Sequence, residues 1–163
     1  MSYMTKATFQ TQRQIRSLVF DPFGKLLLLK KKGGDSWFLP QDAFDDFTGT
    51  EYEISNRARN ITRIQTGIPI EYIGKPSAPF NELSLTNPEV VHQITLVPMV
   101  GEGEVLTSDD IEAQWILVRD ADVFPIMEDK IKELHNTLYN QGLFSSNSIP
   151  HEFNINKVIG TSN

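Results

Sequence analysis

Residues 36–68 constrain the fold more than any other part of this 163-residue chain. Residues 54–65 predict an amphipathic helix, because four apolar side chains recur at spacings of four, three and three residues and so form one stripe. These side chains are Ile54, Ala58, Ile61 and Ile64. Gly67 is suited to end the helix, because glycine readily adopts the left-handed conformation at a helix C-terminus. The helix therefore needs an apolar surface to cover, and the flanking segments should supply a sheet.

The flanking segments predict the strands of that sheet. Residues 15–20 and 25–30 predict a hairpin, joined by the turn Asp21-Pro22-Phe23-Gly24, in which proline fixes one backbone angle and glycine permits a positive one. Residues 75–89 predict a long loop or a short hairpin, because prolines interrupt them repeatedly. Further strands are predicted over residues 68–73, 90–100 and 113–118, and Pro98 suggests an edge or a bulge in the second of these.

A second helix is predicted over residues 122–141, with Gly142 at its end. Its apolar stripe consists of Met127, Ile131, Leu134 and Leu138. The order of the elements predicts an α/β fold of the α+β type, in which a mixed sheet packs between helices as an α/β/α sandwich. One domain is expected over residues 1–163, with a core over about 15–142 and a peripheral N-terminal arm and C-terminal tail.

The composition narrows the possible classes of function. The chain has no cysteine, which excludes disulfides, thiolate metal sites and a cysteine nucleophile, and we expect a cytoplasmic location. The net charge of −6 disfavours a general nucleic-acid-binding surface, because contacts to phosphates usually require a basic field. No apolar run is longer than four residues, as in Leu26–Leu29, which is too short to cross a membrane, so no membrane association is expected.

Two short motifs at the ends of residues 36–68 resemble the ends of a Nudix box, the signature of the Nudix (MutT-like) hydrolase superfamily. Residues 37–40, W-F-L-P, are similar to the W-x-L-P-G-G entry of that box, and residues 66–68, T-G-I, are similar to its end. The resemblance covers about residues 15–142 and implies a Nudix-like sandwich. It also implies a reaction, in which helix glutamates bind Mg²⁺ for the cleavage of a diphosphate linked to another moiety.

The helix departs from the Nudix box at the catalytic positions. Aligned to Gly67 without a gap, the Arg-Glu pair of the family falls on Asn60 and Ile61, and its Glu-Glu pair falls on Ile64 and Gln65. With one inserted residue, the pairs fall on residues 59–60 and 63–64. Neither alignment retains a glutamate, and residues 41–42, Gln-Asp, replace the glycine pair. The resemblance therefore predicts the fold and leaves the reaction in doubt.

Arginines occupy the helix where the family has its carboxylates. Arg59 and Arg63 are four residues apart and share one helix face, and a guanidinium group can bind phosphate without a metal. We therefore expect a binding protein without catalytic residues, metal or cofactor, whose ligand is a nucleotide, another phosphorylated small molecule, an RNA segment or a protein. Arg59 or Arg63 would hold the phosphate, with Trp37 or Phe38 near the attached group. Alternatively, both arginines are solvated side chains without a ligand.

Two other hypotheses stay open from the sequence. The first is a divergent Mg²⁺-dependent hydrolase of a nucleoside diphosphate derivative, with ligands from an acidic segment before the helix. The carboxylates of this segment are Asp42, Asp45, Asp46, Glu51 and Glu53, which can equally form a solvated loop near the positive end of the helix dipole. The second is a subunit of an assembly, such as a homodimer, with the sheet and the tail (145–163) as contact surfaces. For His92, on a predicted strand, we expect a structural or surface role.

Overall fold

The computed structural model describes residues 10–44, 49–84, 86–124 and 127–145. Within these residues, eight strands form one mixed sheet and two α-helices pack against it. The strands are β1 (Gln10–Phe20), β2 (Leu26–Lys31), β3 (Trp37–Phe38), β4 (Gln41–Phe44), β5 (Ile70–Ile73), β6 (Phe80–Leu83), β7 (Val90–Gly101) and β8 (Ile111–Ile116). The helices are α1 (Glu51–Thr66) and α2 (Glu128–Asn140), and a 3₁₀ helix at Val118–Val123 precedes α2. The predicted mixed sheet between helices is confirmed.

The parallel pair of β1 and β7 forms the centre of the sheet. Every residue of β1 has a partner on β7, from Gln10 with Val90 to Phe20 with Val100. Strands β5 and β6 pair with the other side of β7, and β8 pairs with β2. The predicted hairpin of β1 and β2 is present only at its base, where Phe20 pairs with Leu26. Beyond that pair, β3 bonds to β2 and β4 bonds to β1, so one short segment fills the space between the two strands.

Each face of the sheet carries its own apolar core, because successive side chains of a strand point to opposite faces. On the α1 face, Ala58 of the helix lies in a cluster with strand residues Ile15, Val19, Leu27, Leu29, Val97 and Met99. On the α2 face, three buried helix-region residues, Met127, Ile131 and Leu138, lie in a cluster with strand residues Leu18, Phe20, Leu26, Leu28, Ile94, Leu96 and Val100. The two helices are therefore on opposite sides of the sheet.

Helix α1 begins and ends at capping residues. The Thr50 side chain accepts a hydrogen bond from the Glu53 backbone N–H (3.2 Å), and Gly67 adopts a left-handed conformation with φ 70°. The Gly67 N–H donates to the Arg63 carbonyl, so the predicted role of Gly67 as the helix stop is confirmed. The observed helix is four residues longer than the predicted 54–65, since it starts at Glu51 and includes Thr66.

The buried face of α1 differs from the predicted isoleucine stripe. Ala58 is buried as expected, whereas Ile54 and Ile61 are half-buried and Ile64 is 76% exposed, so the prediction that Ile64 faces the core was wrong. Two threonines, Thr62 and Thr66, are fully buried instead. Their hydroxyls donate to the carbonyls four residues earlier, at 2.7 Å and 2.6 Å, which removes the cost of burying them.

The second helical region is divided where the sequence predicts one helix over residues 122–141. A 3₁₀ helix ends at Val123 and α2 starts at Glu128. Phe124 precedes a proline in the sequence, and a residue in that position disfavours the α conformation. The apolar stripe of α2 is confirmed for Met127, Ile131 and Leu138, while Leu134 is only half-buried.

Pro98 lies within the central strand β7 and in a regular ladder with β1, so the expectation of an edge or a bulge at this residue was wrong. Its position is nonetheless suited to a residue without an N–H, because the outer partner of β7 changes there. Ile73 of β5 pairs with Met99, and Phe80 of β6 pairs with Ile94. Between these two ladders, the Gly74 N–H donates to the Pro98 carbonyl at 2.8 Å. The missing donor of proline therefore falls in the break between β5 and β6.

Candidate functional site

Two of the residues predicted to bind a ligand, Trp37 and Phe38, lie on opposite faces of the sheet. Trp37 packs against the α2-face core, with the Lys30 ammonium 4.8 Å from its ring centroid, whereas Phe38 packs against the α1-face core. Arg59 and Arg63 are exposed on α1. The sheet therefore separates Trp37 from both arginines, and the structure does not support Trp37 as part of a site that includes Arg59.

The acidic residues of the alternative metal site also lie apart. Asp42 is opposite Ile15 in the β1–β4 ladder, and Glu53 is engaged at the start of α1, where its carboxylate accepts from the Thr50 hydroxyl at 3.2 Å. Glu51 lies on the first turn of α1. Asp45 and Asp46 are outside the described residues. Within the described ranges, no group of three or more histidines or carboxylates is placed to hold a metal ion.

The α1 residues that align with the catalytic glutamates of the Nudix box either face solvent or bond to the protein backbone. Asn60, Arg63 and Ile64 face solvent. Gln65 bonds to the backbone of Gln41: its Oε1 accepts from the Gln41 N–H and its Nε2 donates to the Gln41 carbonyl, both at 3.2 Å. Gln41 lies where the family has the first glycine of its pair. Gln65 thus fixes α1 to β4 and offers no ligand to a metal.

A cleft of about 380 Å³ lies beside the N-terminal half of α1, and we call it the Arg59 cleft. Its lining comes from α1 (Glu51, Tyr52, Ser55, Asn56, Arg59) and from the end of β5 and the segment after it (Ile73, Gly74, Lys75, Pro76). Neither Arg59 nor Lys75 forms an ion pair with a residue that the structure describes. Tyr52 is 76% exposed. The cleft thus combines two available cations, an aromatic ring and one carboxylate.

A buried polar group on the α2 face is the second candidate, and we call it the Arg16 cluster. It consists of Gln12, Gln14 and Arg16 on β1, Glu82 on β6 and His92 on β7. Strand alternation places the β1 members on the same face as Leu18 and Phe20. The ladders bring the others alongside, because His92 pairs with both Gln12 and Glu82. Gln14 is 6% exposed and Arg16 is 8% exposed.

The hydrogen bonds of the Arg16 cluster differ in length. Gln14 Oε1 accepts from Arg16 Nη2 at 2.8 Å and from Nε at 3.1 Å, and Gln14 Nε2 donates to Gln12 Oε1 at 3.0 Å. The carboxylate of Glu82 is farther away, since its Oε1 is 3.4 Å from both Nη atoms. Arg16 Nη1 also donates to the Met127 sulfur at 3.5 Å. The guanidinium group is therefore well satisfied on one edge and poorly satisfied on the other.

Burial controls the ionisation of this cluster. Desolvation lowers the pKa of Arg16, and the charge and hydrogen bonds of Glu82 act in the opposite direction. Desolvation also lowers the pKa of His92, as does the nearby charge of Arg16, while Glu82 raises it. The imidazole is therefore neutral at pH 7. Its Nδ1 is buried and has no hydrogen-bond partner among the described residues.

The Arg16 cluster was not predicted from the sequence, which places Gln12 and Gln14 in the peripheral N-terminal arm, before the predicted strand over residues 15–20. One signal was available in the sequence. Gln12, Gln14 and Arg16 alternate along the chain, so they lie on the same side of the strand as Leu18. The sequence does not show that this side is covered, because the covering residues Glu82 and His92 are distant in the chain.

Within the described part of the chain, no helix has the length and apolar character needed to span a membrane. No protein-family model matches this sequence, and no curated protein matches it either. The resemblance to the Nudix superfamily therefore stays a prediction from the sequence.

Proposed function

We propose that this protein is a Nudix-like domain that binds a nucleotide or another phosphorylated small molecule without hydrolysing it. The observation that carries the proposal is the convergence of Arg59 and Lys75 on one cleft, where neither forms an ion pair with a carboxylate of the described residues. Arginine and lysine are the side chains that bind phosphate in the absence of a metal. A volume of about 380 Å³ is within the range of small-ligand sites.

The distribution of groups in the Arg59 cleft suits a nucleotide. Tyr52 offers an exposed ring on which a base can stack. Ser55 and Asn56 supply neutral hydrogen-bonding groups beside Arg59. Glu51 disfavours a long polyanion, and the net charge of −6 acts in the same direction, so a small phosphorylated ligand fits better than an RNA segment.

The exposed surface of α1 supports binding over hydrolysis. The Nudix reaction, as the resemblance implies it, needs several carboxylates on this helix to hold Mg²⁺. Asn60, Arg63 and Ile64 supply none, and Gln65 is bonded to the backbone of Gln41. A ligand phosphate would therefore meet cationic side chains of the protein in place of a metal.

Calorimetric titration with ADP and with inorganic pyrophosphate, in the presence of EDTA, tests the proposal. We expect Arg59→Ala and Lys75→Ala each to weaken binding about three- to thirtyfold. The effect is smaller than for a buried contact, because solvent screens the charges of exposed side chains. Arg63→Ala is the matched control, because Arg63 is one turn farther along the same helix and does not line the cleft. Binding that is absent, or that is unchanged in the Arg59→Ala, Lys75→Ala double variant, contradicts the proposal.

The hydrolase hypothesis makes the opposite prediction for activity. We expect no release of phosphate or nucleoside monophosphate from nucleoside diphosphate derivatives when Mg²⁺ is supplied. Turnover that requires Mg²⁺ and is lost in Glu51→Ala or Asp45→Ala would establish a divergent hydrolase instead. A cytoplasmic location and a homodimer or other protein partner stay predictions, and light scattering of the purified protein tests the dimer.

A further inference from the structure

The Arg16 cluster lies on the α2 face and is separated by the sheet from helix α1, so its chemistry is independent of the proposed Arg59 cleft. A buried guanidinium is costly unless its donors are well paired. Charge-assisted N–H···O bonds are normally about 2.7–2.9 Å long. The Arg16–Glu82 contacts are 3.4 Å, and the other acceptor of Nη1 is a thioether sulfur. One edge of the arginine is thus left with weak acceptors.

We infer that the Arg16 cluster is a second binding site, for a planar and uncharged amide group: a primary carboxamide or a cyclic amide. Such a group presents a carbonyl acceptor next to an N–H donor. The cluster contains the complementary pair, Arg16 Nη1 as donor and the Glu82 carboxylate as acceptor, which bond to each other at 3.4 Å, and the amide group would replace this long contact. His92 Nδ1 provides a further buried position without a partner among the described residues.

The charges of the cluster select against ions. Arg16 and Glu82 carry opposite charges, and His92 is neutral because its pKa is lowered. An incoming anion would meet the Glu82 carboxylate, and an incoming cation would meet the Arg16 guanidinium. A neutral group with a donor and an acceptor satisfies both without leaving either charge unpaired.

The surroundings of the cluster allow such a group to enter. The Glu82 side chain is 20% exposed, and Gln12 and His92 are half-buried, so the outer rim is open to solvent. The thioether of Met127 can give way to a carbonyl, because methionine is flexible and sulfur is a weak acceptor. Phe80 lies on the same face, two residues before Glu82 on β6, and is half-buried. The Lys130 ammonium lies over the Phe80 ring, 5.2 Å from its centroid, and the ring adds apolar surface to the rim of the cluster.

The test is a titration of ¹⁵N-labelled protein with uracil and nicotinamide, followed by the NMR signals of the His92 ring and of the β1, β6 and β7 amides. We expect saturable shifts in these signals. The matched probe 1,3-dimethyluracil has the carbonyls but no N–H, and we expect it to bind at least tenfold more weakly. A purely structural cluster would respond to neither probe, and the absence of saturable shifts up to the solubility limit would overturn the inference.

Variants decide which residues bind. Replacing Arg16 can prevent folding, so Glu82→Gln is the main variant, and we expect binding about five- to tenfold weaker because a neutral acceptor replaces a charged one. Glu89→Gln is its control, since Glu89 is exposed in the connection between β6 and β7 and, among the described residues, bonds only through its backbone. Equal affinity in Glu82→Gln and wild type contradicts the inference. Arg59→Ala should leave uracil binding unchanged, which separates this site from the proposed phosphate cleft.

Discussion

Substitution of Gly24 by alanine tests how the turn between β1 and β2 packs against α2. Gly24 has φ 82°, and its N–H donates to the Asp21 carbonyl at 2.9 Å. An added Cβ would lie 2.7 Å from His135 Nε2, an atom that is now hydrogen-bonded to the Gly24 carbonyl at 3.1 Å. His135 is fully buried between this turn and the ring of Phe20, so it has little freedom to move.

The expected loss of stability is the sum of three effects. A left-handed conformation costs a residue with a Cβ about 1–2 kcal/mol. Overpacking against a buried side chain adds about 1–3 kcal/mol. Loss of the hydrogen bond from His135 adds about 0.5–1.5 kcal/mol. We therefore expect Gly24→Ala to lower the free energy of unfolding by about 2.5–6.5 kcal/mol, a large part of the stability of a domain of this size.

Gly33 provides the matched control for the backbone effect alone. Its φ of 79° is nearly the same, but no atom lies within 4 Å of an added Cβ. We expect Gly33→Ala to cost only about 1–2 kcal/mol. Urea unfolding followed by circular dichroism measures both variants. In a His135→Ala background, Gly24→Ala should cost no more than Gly33→Ala. Equal losses in the two single variants would show that the contact with His135 does not destabilise the alanine variant.

Three further outcomes are expected. Gln65→Ala should lower the free energy of unfolding by about 1–3 kcal/mol in urea, because two hydrogen bonds to the Gln41 backbone are lost. Ile64→Lys should change it by less than about 0.5 kcal/mol, because Ile64 is 76% exposed. Glu82→Gln should lower the pKa of His92 further in an NMR titration, since Glu82 now raises it. The pKa of His92 in the folded protein is below its ordinary value of 6.5. The contribution of neutral His92 to the free energy of unfolding is therefore fully present above pH 6.5, and it is lost as the pH falls through the lowered pKa.

The fold was predictable from the sequence where periodicity and termination signals agree. Helix α1 was located by its apolar spacing and by Gly67, and strand β7 was found to within one residue at its end. Strand β1 was found only over residues 15–20, because its first five residues, which begin at Gln10, are polar. The buried face of α1 was not predictable from hydropathy, because Thr62 and Thr66 satisfy their hydroxyls within the helix and so compete with isoleucine for the interior. Strand β4 was missed, since its polar sequence is stabilised by pairing with β1.

The candidate sites were predictable only in part. Arg59 was singled out from its helix position, but its neighbour in the cleft, Lys75, is contributed by the connection after β5, which the sequence does not place near α1. Trp37 and Phe38 are adjacent in a strand, so one of them must lie on each face, and strand alternation could have excluded a shared site for both. The Arg16 cluster depends on ladders between distant strands, which no local pattern reveals.

The central ladder of β1 and β7 has a consequence for how the chain folds. Each pair in it joins residues 80 positions apart, as in Gln10 with Val90 (90 − 10 = 80). Such long-range pairing slows folding, because a large loop must close before the contacts form. During synthesis, β1 has no parallel partner until β7 has left the ribosome, and its apolar residues, including Leu18 and Phe20, cannot be covered by α2 until later still. The newly made N-terminal half should therefore be prone to aggregation and a good client for chaperones.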